Sequence, residues 1–516
     1  MSNAAKFIPI IGKNVIENLT VGMYDDPRFV YREYVQNAAD QIDIAKEENL
    51  YQNNEQPSIY IQIDTDAKKI VIEDNATGIR QREVLSLLGN IAQSTKNKYE
   101  DKGFRGIGRL GGLGYCEKLT FETSFYGEDR KSIMTWDAKM LKKIFDDESI
   151  TIDAAALISI ITDYSFDNPE NANVHYFRVT MESVTNDILL DVQQVRDYLS
   201  MVAPVPFGNL FTHKTKIYQE AKEKNITIDE YNVYVNTDQL FKGYKDYIYR
   251  NNAVSEDDTI IDVVFFEEYY NEKPLFWGWY GISKNMYQIP EENKSRRIRL
   301  RKSNIQIGLD NRLDEFHKQE QGNRYFIGEV YAINKELVPN GRRDFFIDSI
   351  ECTQFEKKLR DFFHKKLYNL YYDFSKKNAA ITDKQNLETK KEIIKKNTLD
   401  EKSKAKLSVE IKKLQEKVDK AEKTLPKLLS RYQNQNEVFT VLESSVKNGG
   451  FTFEKEQQQE QQHKHTEFNT QRIIDNKKSL STAEEVLLQK VYAIIRQNPQ
   501  LCGEELIQKI EQEIKK

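Results

Sequence analysis

The sequence has few cysteines, no long apolar run and no P-loop signature. Its three cysteines, Cys116, Cys352 and Cys502, lie far apart, so neither a disulfide framework nor a CxxC zinc site is predicted. No run of about 18 apolar residues occurs, and the N-terminal residues lack a charged start followed by a long apolar segment. We therefore expect a cytoplasmic protein without a membrane span.

Positive charge is not in excess either. The net charge is −5 and the pI is about 5.9, which excludes a basic field over the whole protein of the kind that binds nucleic acid. The net charge does not exclude a local basic patch that binds nucleic acid. The strongest candidate is NKSRRIRLRK, residues 293–302, which also alternates like an exposed strand.

The 516 residues are enough for several domains, and the pattern along them predicts an α+β protein. Period-two apolar residues in SIYIQIDTDAKKIVIEDN predict two strands joined by a turn. Near residue 376 the composition shifts toward Lys, Glu and Gln. The predicted segments are an α/β unit at 1–183, a second α/β unit at 184–375, a helical region at 376–447, a flexible linker at 448–480 and a small helical module at 481–516.

The helical region contains an apolar seam typical of a coiled coil. Pro426 falls inside the seam, where it is expected to kink or end the helix. An antiparallel hairpin within one chain and a coiled coil between two chains both satisfy the pattern. The seam residues, spaced four and three apart, are Leu407, Ile411, Leu414, Val418, Ala421, Leu425 and Leu428.

The segment REYVQNAAD, residues 32–40, raises a question of chemistry. Spacings of four and three place Glu33, Asn37 and Asp40 along one stripe of a helix. For this trio alone, a salt-bridged surface helix is the simpler interpretation. A buried stripe would be different, because a glutamate can orient or deprotonate water and an asparagine oxygen suits magnesium beside phosphates.

Two further segments complete a set suited to a nucleotide triphosphate. IEDNATGI, residues 72–79, places Asp74 at a strand end, where it can accept a hydrogen bond from the exocyclic amine of a base. GFRGIGRLGGLG, residues 103–114, has six glycines, so backbone N–H groups can approach a phosphate with no Cβ in the way. GxxxxGK[ST] is absent, and the glycines come too late in the chain for a dinucleotide-binding fold.

In this order and spacing the three segments resemble the GHKL ATPase superfamily, which includes gyrase, the ninety-kilodalton heat-shock chaperones, histidine kinases and MutL. The resemblance covers residues 12–183 and implies a Bergerat-type α/β sandwich that binds ATP and Mg²⁺. Between the two glycine boxes, LGNIAQSTK, residues 88–96, is similar to the lid segment of the chaperones. Within the superfamily, the chain is therefore most similar to the bacterial, HtpG-like chaperones.

The resemblance implies a role for each matching residue. Glu33 would be the general base, Asn37 the magnesium ligand and Asp74 the adenine-binding acid. Asp40 matches a nucleotide-contacting position. The remaining matching positions, which belong to the glycine boxes and to a mobile lid over residues 89–108, are Gly78, Ser94, Thr95, Lys96, Gly103, Gly106 and Gly108.

The chain departs from the family pattern at two places around the base pocket. Ala76 stands where the first glycine of its box is usual, so a turn that needs a positive φ would be reshaped. A threonine usual near the final strand is replaced in that neighbourhood by His175 or Tyr176.

The second α/β unit contains a loop with a similar resemblance. LVPNGRRDFF, residues 337–346, resembles the chaperone middle-domain loop that sends an arginine toward the γ-phosphate. By this match Arg343 would be the catalytic arginine, between Asn340 of the loop and the acidic neighbour Asp344, with Arg342 as the second candidate. The simpler alternative is that both arginines pair with nearby acids.

Three functions fit these expectations. The first is a chaperone-like ATPase clamp, with ATP-driven lid closure and N-terminal dimerisation, that acts on a protein client. The second is a DNA-associated clamp of the MutL or MORC type in bacterial defence or genome maintenance, and the third is a nucleotide-gated scaffold without turnover. The lid match favours the first, and the coiled-coil seam keeps the second open. A histidine kinase is not expected, because it would need a phosphoacceptor helix before the ATP-binding domain and no histidine lies among the residues before Glu33.

Overall fold

The structure, a computed structural model, describes most of the chain up to residue 451. The described residues are 10–20, 26–51, 55–91, 107–250, 253–396 and 400–451. Most of the predicted linker, the predicted C-terminal module and most of the predicted lid lie outside them, so those expectations stay predictions. At the start of the predicted linker, however, Asn448 ends a helix and Phe451 is buried.

An eight-stranded sheet forms the first part of the fold. Its strands are β1 (Ser58–Asp64), β2 (Lys69–Asp74), β3 (Lys118–Ser124), β4 (Arg130–Asp137), β5 (Thr162–Pro169), β6 (Tyr176–Glu182), β7 (Asn232–Val235) and β8 (Asp238–Gln239). Across the sheet they run in the order β5-β4-β3-β6-β2-β1-β7-β8. Neighbouring strands are antiparallel except β1 and β7, which are parallel.

Helices cover one face of this sheet and make it a two-layer sandwich. They are α1 (Asn14–Thr20), α2 (Phe29–Glu47), α3 (Gln81–Val84), α4 (Ala138–Asp146), α5 (Ala154–Ile161) and α6 (Val192–Val202). The period-two pattern decides which face they cover, because Ile59 and Ile61 of β1 are buried against the helices while Tyr60 between them is 40% exposed. The predicted α+β class is confirmed.

The first sheet continues beyond residue 183. Its last two strands end at Gln239, and Leu199 of α6 and Leu240 belong to the same apolar core as Ile61. The division of the chain at residue 183 stays a prediction, but the core that supports the site extends about as far as residue 240.

A second, six-stranded sheet follows helix α7 (Lys214–Glu223). Its strands are β9 (Tyr247–Arg250), β10 (Ala253–Tyr270), β11 (Lys273–Ser283), β12 (Arg297–Lys302), β13 (Ile305–Gln306) and β14 (Ile327–Ala332), in the order β13-β12-β14-β11-β10-β9. Helix α8 (Ile350–Phe362) packs against it through Phe355, and a single π-helical turn joins α8 to α9 (Tyr368–Lys395).

Strand β12 corrects the interpretation of the basic stretch as an exposed strand, while phosphate contact by the stretch, whose Lys294 is exposed, stays a prediction. Arg297, Arg299 and Arg301 are at most 9% exposed, and Ile298 and Leu300 between them are buried as well. Both faces of β12 are therefore buried, so the alternation of basic and apolar residues does not mark one solvent-exposed face and one buried face.

The helical region folds back within the chain. α9 and α10 (Glu401–Ser430) run antiparallel: Lys391 donates to Gln415 at 2.7 Å, and Lys417, later in α10, donates to Asp383, earlier in α9, at 3.4 Å. Helix α11 (Asn436–Asn448) follows. Val418, Ala421 and Leu425 of the seam pack with residues of α9 and α11 in one apolar cluster.

This arrangement bears on two expectations from the sequence. It satisfies the buried part of the seam without a second chain, while whether the chain also forms a homodimer stays a prediction. The helix does not end at Pro426, because α10 continues to Ser430. Among the described residues, no helix is long and apolar enough to cross a membrane.

One buried histidine gives the second sheet a pH-dependent stability. His317 is 5% exposed and its ring lies 4.2 Å from that of Phe363. Burial lowers its pKa from 6.5 to about 3. The unfolded chain therefore binds more protons between these two values, so stability is full above pH 6.5 and is lost as the pH falls toward 3.

We expect His317→Gln to flatten this dependence. Across that window, wild-type protein should lose up to about 1.4 kcal/mol of unfolding free energy per pH unit from this residue alone. Urea unfolding at successive pH values, with wild type and variant compared at each, measures the difference between the two slopes. Parallel slopes would show that the folded protein protonates His317 normally.

Candidate functional site

Helix α2 places its polar stripe inside the protein rather than toward water. Glu33 and Asp40 are 6% and 5% exposed, and Asn37 between them is half-buried. Ala38 and Ala39 of the same helix are buried in the core of the first sheet, where small side chains allow close packing. The interpretation of this stripe as a salt-bridged surface is therefore wrong.

The second glycine-rich segment lies directly against the Glu33 carboxylate. A Cβ on Gly108 would stand 2.2 Å from Oε2 of Glu33, closer than any side chain tolerates. A Cβ on Gly112 would stand 2.6 Å from the hydroxyl of Tyr34, which donates to the carbonyl of Arg109 at 2.8 Å. Glycine is thus needed at Gly108 so that the backbone can approach the acidic stripe.

The loop of the second unit reaches the same carboxylate. Nε of Arg343 lies 3.4 Å from Oε1 of Glu33, and Arg343 is 8% exposed. The loop is closed by a bridge between Pro339 and Phe346, and the N–H of Asn340 donates to the carbonyl of Phe345 at 2.9 Å.

Arg343 itself has a φ of +55°, a left-handed conformation that is uncommon for arginine. Such a conformation persists only where the surrounding structure holds it. The loop thus presents this side chain to Glu33 while its neighbour Arg342 is exposed.

Arg32 is a site residue that the sequence analysis missed. It is 1% exposed, and its Nη2 lies 3.8 Å from Oε1 of Glu33. Its guanidinium stacks on the ring of Phe29 at 4.1 Å, yet none of its three nitrogens has a hydrogen-bond partner among the described residues. A buried guanidinium with unused donors is costly unless an anion can reach it. The signal in the sequence that could have identified Arg32 is its position directly before Glu33, the candidate base.

Asp74 ends β2 toward the Asp40 end of the stripe, since Thr77 in the turn after it donates to the Gln41 amide oxygen at 2.8 Å. It is 4% exposed, and its carboxylate accepts a hydrogen bond from the N–H of Ala76 at 3.1 Å. The turn that follows has its positive φ, +66°, at Gly78, where a Cβ would stand 1.9 Å from the carbonyl oxygen of Ser124. Ala76 is not among the residues with positive φ, so it fits this turn without strain.

His175 lies beside that turn. Its Nδ1 is 2.7 Å from the carbonyl oxygen of Ala76, and its Nε2 is 3.8 Å from the Glu55 carboxylate. The hydroxyl of Tyr51 is buried without a hydrogen-bond partner among the described residues. The pKa of Tyr51 is raised, chiefly by burial and then by the charge of Asp74. Tyr51 therefore adds an unused polar group near the candidate base-binding acid.

Five predicted contact residues, Ser94, Thr95, Lys96, Gly103 and Gly106, lie outside the described residues, and their roles stay predictions. Among the described residues, no group of three or more His, Cys, Asp or Glu side chains could hold a metal ion. A divalent cation at this site would instead take the Asn37 amide oxygen together with phosphate oxygens and water.

The donors present fit a phosphate-bearing ligand. Arg32 supplies buried N–H groups that have no acceptor in the part of the chain that the structure describes, and Gly108 supplies a backbone without a Cβ beside Glu33. Arg109 follows Gly108, and burial lowers its pKa to about 10, so it is still a cation at neutral pH. These cations lie toward the Glu33 end of the stripe, whereas Asp74 lies at the other end.

Comparison with known proteins agrees with this geometry. Residues 28–166 match the family model described as histidine kinase-, DNA gyrase B- and HSP90-like ATPase. The chaperone protein HtpG of Buchnera aphidicola subsp. Cinara cedri is 32% identical over 148 residues, which are 26% of this chain and 22% of that protein.

Two further HtpG chaperones show similar matches. HtpG of Polaromonas naphthalenivorans is 25% identical over 195 residues, 34% of this chain and 31% of that protein. HtpG of Psychrobacter cryohalolentis is 27% identical over 135 residues, 23% of this chain and 20% of that protein. The chain thus covers between 20% and 31% of the length of these relatives. Residues 28–166, with their acidic helix stripe and two glycine-containing turns, belong to an ATPase domain of the GHKL type that is similar to that of the HtpG chaperones.

Proposed function

We propose that the protein is a Mg²⁺-dependent ATPase that works as a chaperone-like clamp. The observation that carries the proposal is the contact between Arg343 of the second unit and Glu33 of the first, 3.4 Å apart. A site built from both units can couple the state of its nucleotide to the relative position of the two units. A simple nucleotide-binding domain would not need an arginine from a loop of the second unit.

Each site residue then has a chemical task. Glu33 orients the attacking water and accepts its proton, and Asn37 holds the magnesium ion. Magnesium, when bound, neutralises charge on the phosphate oxygens. Arg343 and Arg32 both face the Glu33 carboxylate, so a phosphate that enters between them gives the guanidinium groups a second acceptor. Glu33 is then released from Arg343 to hold water.

The wider role follows from the HtpG similarity and rests on it. We propose a cytoplasmic homodimer whose ATP-driven lid closure acts on a protein client. The DNA-clamp alternative loses its main support, because the arginines of β12 are buried and the described part of the helical seam is satisfied within the chain. The gated scaffold differs from the clamp in one respect, since it does not need a base at Glu33.

We expect Glu33→Ala to lower ATP turnover by about 10² to 10⁴ while ATP binding is retained, because only the base is lost. Steady-state phosphate release and calorimetric ATP binding measure the two effects. Glu47→Ala, an exposed glutamate in the last turn of the same helix, should turn over like wild type. In a concentration series, wild-type turnover per chain should rise if dimerisation completes the site. Normal hydrolysis by Glu33→Ala would exclude this base, and absence of wild-type turnover would favour the scaffold.

Arg343→Ala should lower kcat by roughly 10² to 10³ and leave ATP affinity nearly unchanged, because the guanidinium stabilises charge that develops only during phosphoryl transfer. The neighbouring Arg342→Ala is a matched control, since Arg342 is exposed whereas Arg343 is buried. Single-turnover kinetics at saturating ATP separate chemistry from binding. A loss in Arg342→Ala that equals the loss in Arg343→Ala would reverse the assignment.

Asp74→Asn should abolish ATP binding with little change in shape, because an amide cannot replace a carboxylate that accepts hydrogen bonds from both the base and the Ala76 N–H. Asp64→Asn, at the exposed end of the neighbouring strand β1, provides the control. Calorimetric titration with ATP measures both variants. Wild-type affinity in Asp74→Asn would place the base elsewhere.

A further inference from the structure

A buried charged cluster lies where the two sheets meet. Side chains of Lys242, Arg301 and Glu329 are fully buried. Nζ of Lys242 lies 2.7 Å from one Glu329 oxygen, while Nε of Arg301 contacts the other. Nζ of Lys242 also donates to Oδ1 of Asn304 at 2.8 Å, and the hydroxyl of Tyr331 donates to Glu329. Every charge in the cluster therefore has a partner.

On one side the cluster contacts the unit that carries Glu33. Nη2 of Arg301 donates to the carbonyl of Met201 in α6 at 2.7 Å. The same helix packs against α2, where the Arg28 guanidinium lies 4.9 Å from the ring centre of Tyr198. Arg301, a residue of the second sheet, is thus hydrogen-bonded to the helix next to the Glu33 helix.

On the other side the cluster connects to the arginine loop. Arg301 pairs with Gln306 across β12 and β13, and Nε2 of Gln306 donates to the carbonyl of Gly308 at 3.0 Å. The N–H of Gly308 donates to the carbonyl of Arg343 at 2.8 Å. Gly308 has a φ of +70°, and a Cβ there would stand 2.8 Å from the carbonyl oxygen of Asp344, so the loop fits closely against this turn.

These contacts form a closed circuit through both units. It runs from Glu33 through α2 and α6 to Arg301. From there it continues through Gln306 and Gly308 to Arg343, which contacts Glu33. A fully paired buried network is rigid, because breaking one partner leaves a buried charge uncompensated. Arginine suits its centre, since its planar group holds several acceptors at fixed angles, whereas a lysine has one nitrogen.

We propose that Arg301, held by the Glu329 carboxylate that Lys242 also contacts, is a positioning residue that fixes the Arg343 loop against Glu33. The proposal rests on the proposed ATPase function for its effect on turnover. Its effect on the loop is independent of turnover, so the two can fail separately.

The test uses the full chain with Arg301→Lys, which keeps the cation beside Glu329 but cannot also reach the Met201 carbonyl. Lys242→Met is the second variant, and Gln306→Ala the third, in case the buried substitutions do not fold. Lys377→Met is the matched control, because Lys377 is equally buried but donates to Ser445 in the helical region, away from the circuit. Amide hydrogen exchange and the kcat and KM for ATP are measured for each.

We expect amide exchange at Gly308 and Arg343 to rise at least about tenfold in Arg301→Lys, with β1 and β2 unchanged. We expect kcat to fall about 10- to 100-fold, while KM stays within about twofold. Lys377→Met should change neither measurement. Unchanged exchange at the loop would overturn the proposal whether or not the protein hydrolyses ATP. A looser loop with unchanged kcat would uphold the positioning and refute the proposed catalytic role of Arg343, whereas an equal loss in Lys377→Met would overturn the proposal. Absence of wild-type turnover together with a looser loop would instead refute the proposed ATPase and uphold the positioning.

Discussion

The contact between Glu33 and Arg343 joins two units that are otherwise built on separate sheets. An ion pair at 3.4 Å between side chains less than a tenth exposed is strong only if both groups are already held in place, because each charge loses its water on burial. Helix α2 holds the carboxylate. The closed loop, in which Arg343 itself has a left-handed φ, holds the guanidinium. Much of the structure around the site holds these two side chains in place.

Charge is distributed unevenly along the acidic stripe. At one end, Arg32, Arg109 and Arg343 lie near Glu33 and the glycine-rich backbone, whereas Asp74 with the Tyr51 hydroxyl lies at the other end. A nucleotide has the same asymmetry, with negative phosphates at one end and a base carrying hydrogen-bond donors at the other. Within the described ranges the donors of Arg32 have no hydrogen-bond partner, and this is more informative than its ion pair, since a purely structural arginine would have satisfied them.

The expectations from the sequence were wrong where a segment is covered by residues that lie far from it in the chain. The alternation in β12 looked like an exposed strand, but β14 pairs with it and both its faces are covered. Its Arg301 is satisfied by Met201, a hundred residues earlier in the chain. Of the two outcomes expected at Pro426, a kink or an end of the helix, the second is wrong: α10 extends to Ser430, because packing of the helical region can outweigh one lost backbone hydrogen bond.

Local sequence determined the parts of the candidate site. The spacing of Glu33, Asn37 and Asp40, the aspartate at the end of β2 and the glycine beside it all follow from periodicity and turn chemistry. Only the tertiary structure brought Arg343 to Glu33, buried Arg32 with no hydrogen-bond partner among the described residues, and satisfied the buried part of the α10 seam within its own chain. The reason is physical: periodicity shows that a face is buried, whereas its partner depends on contacts between residues hundreds of positions apart.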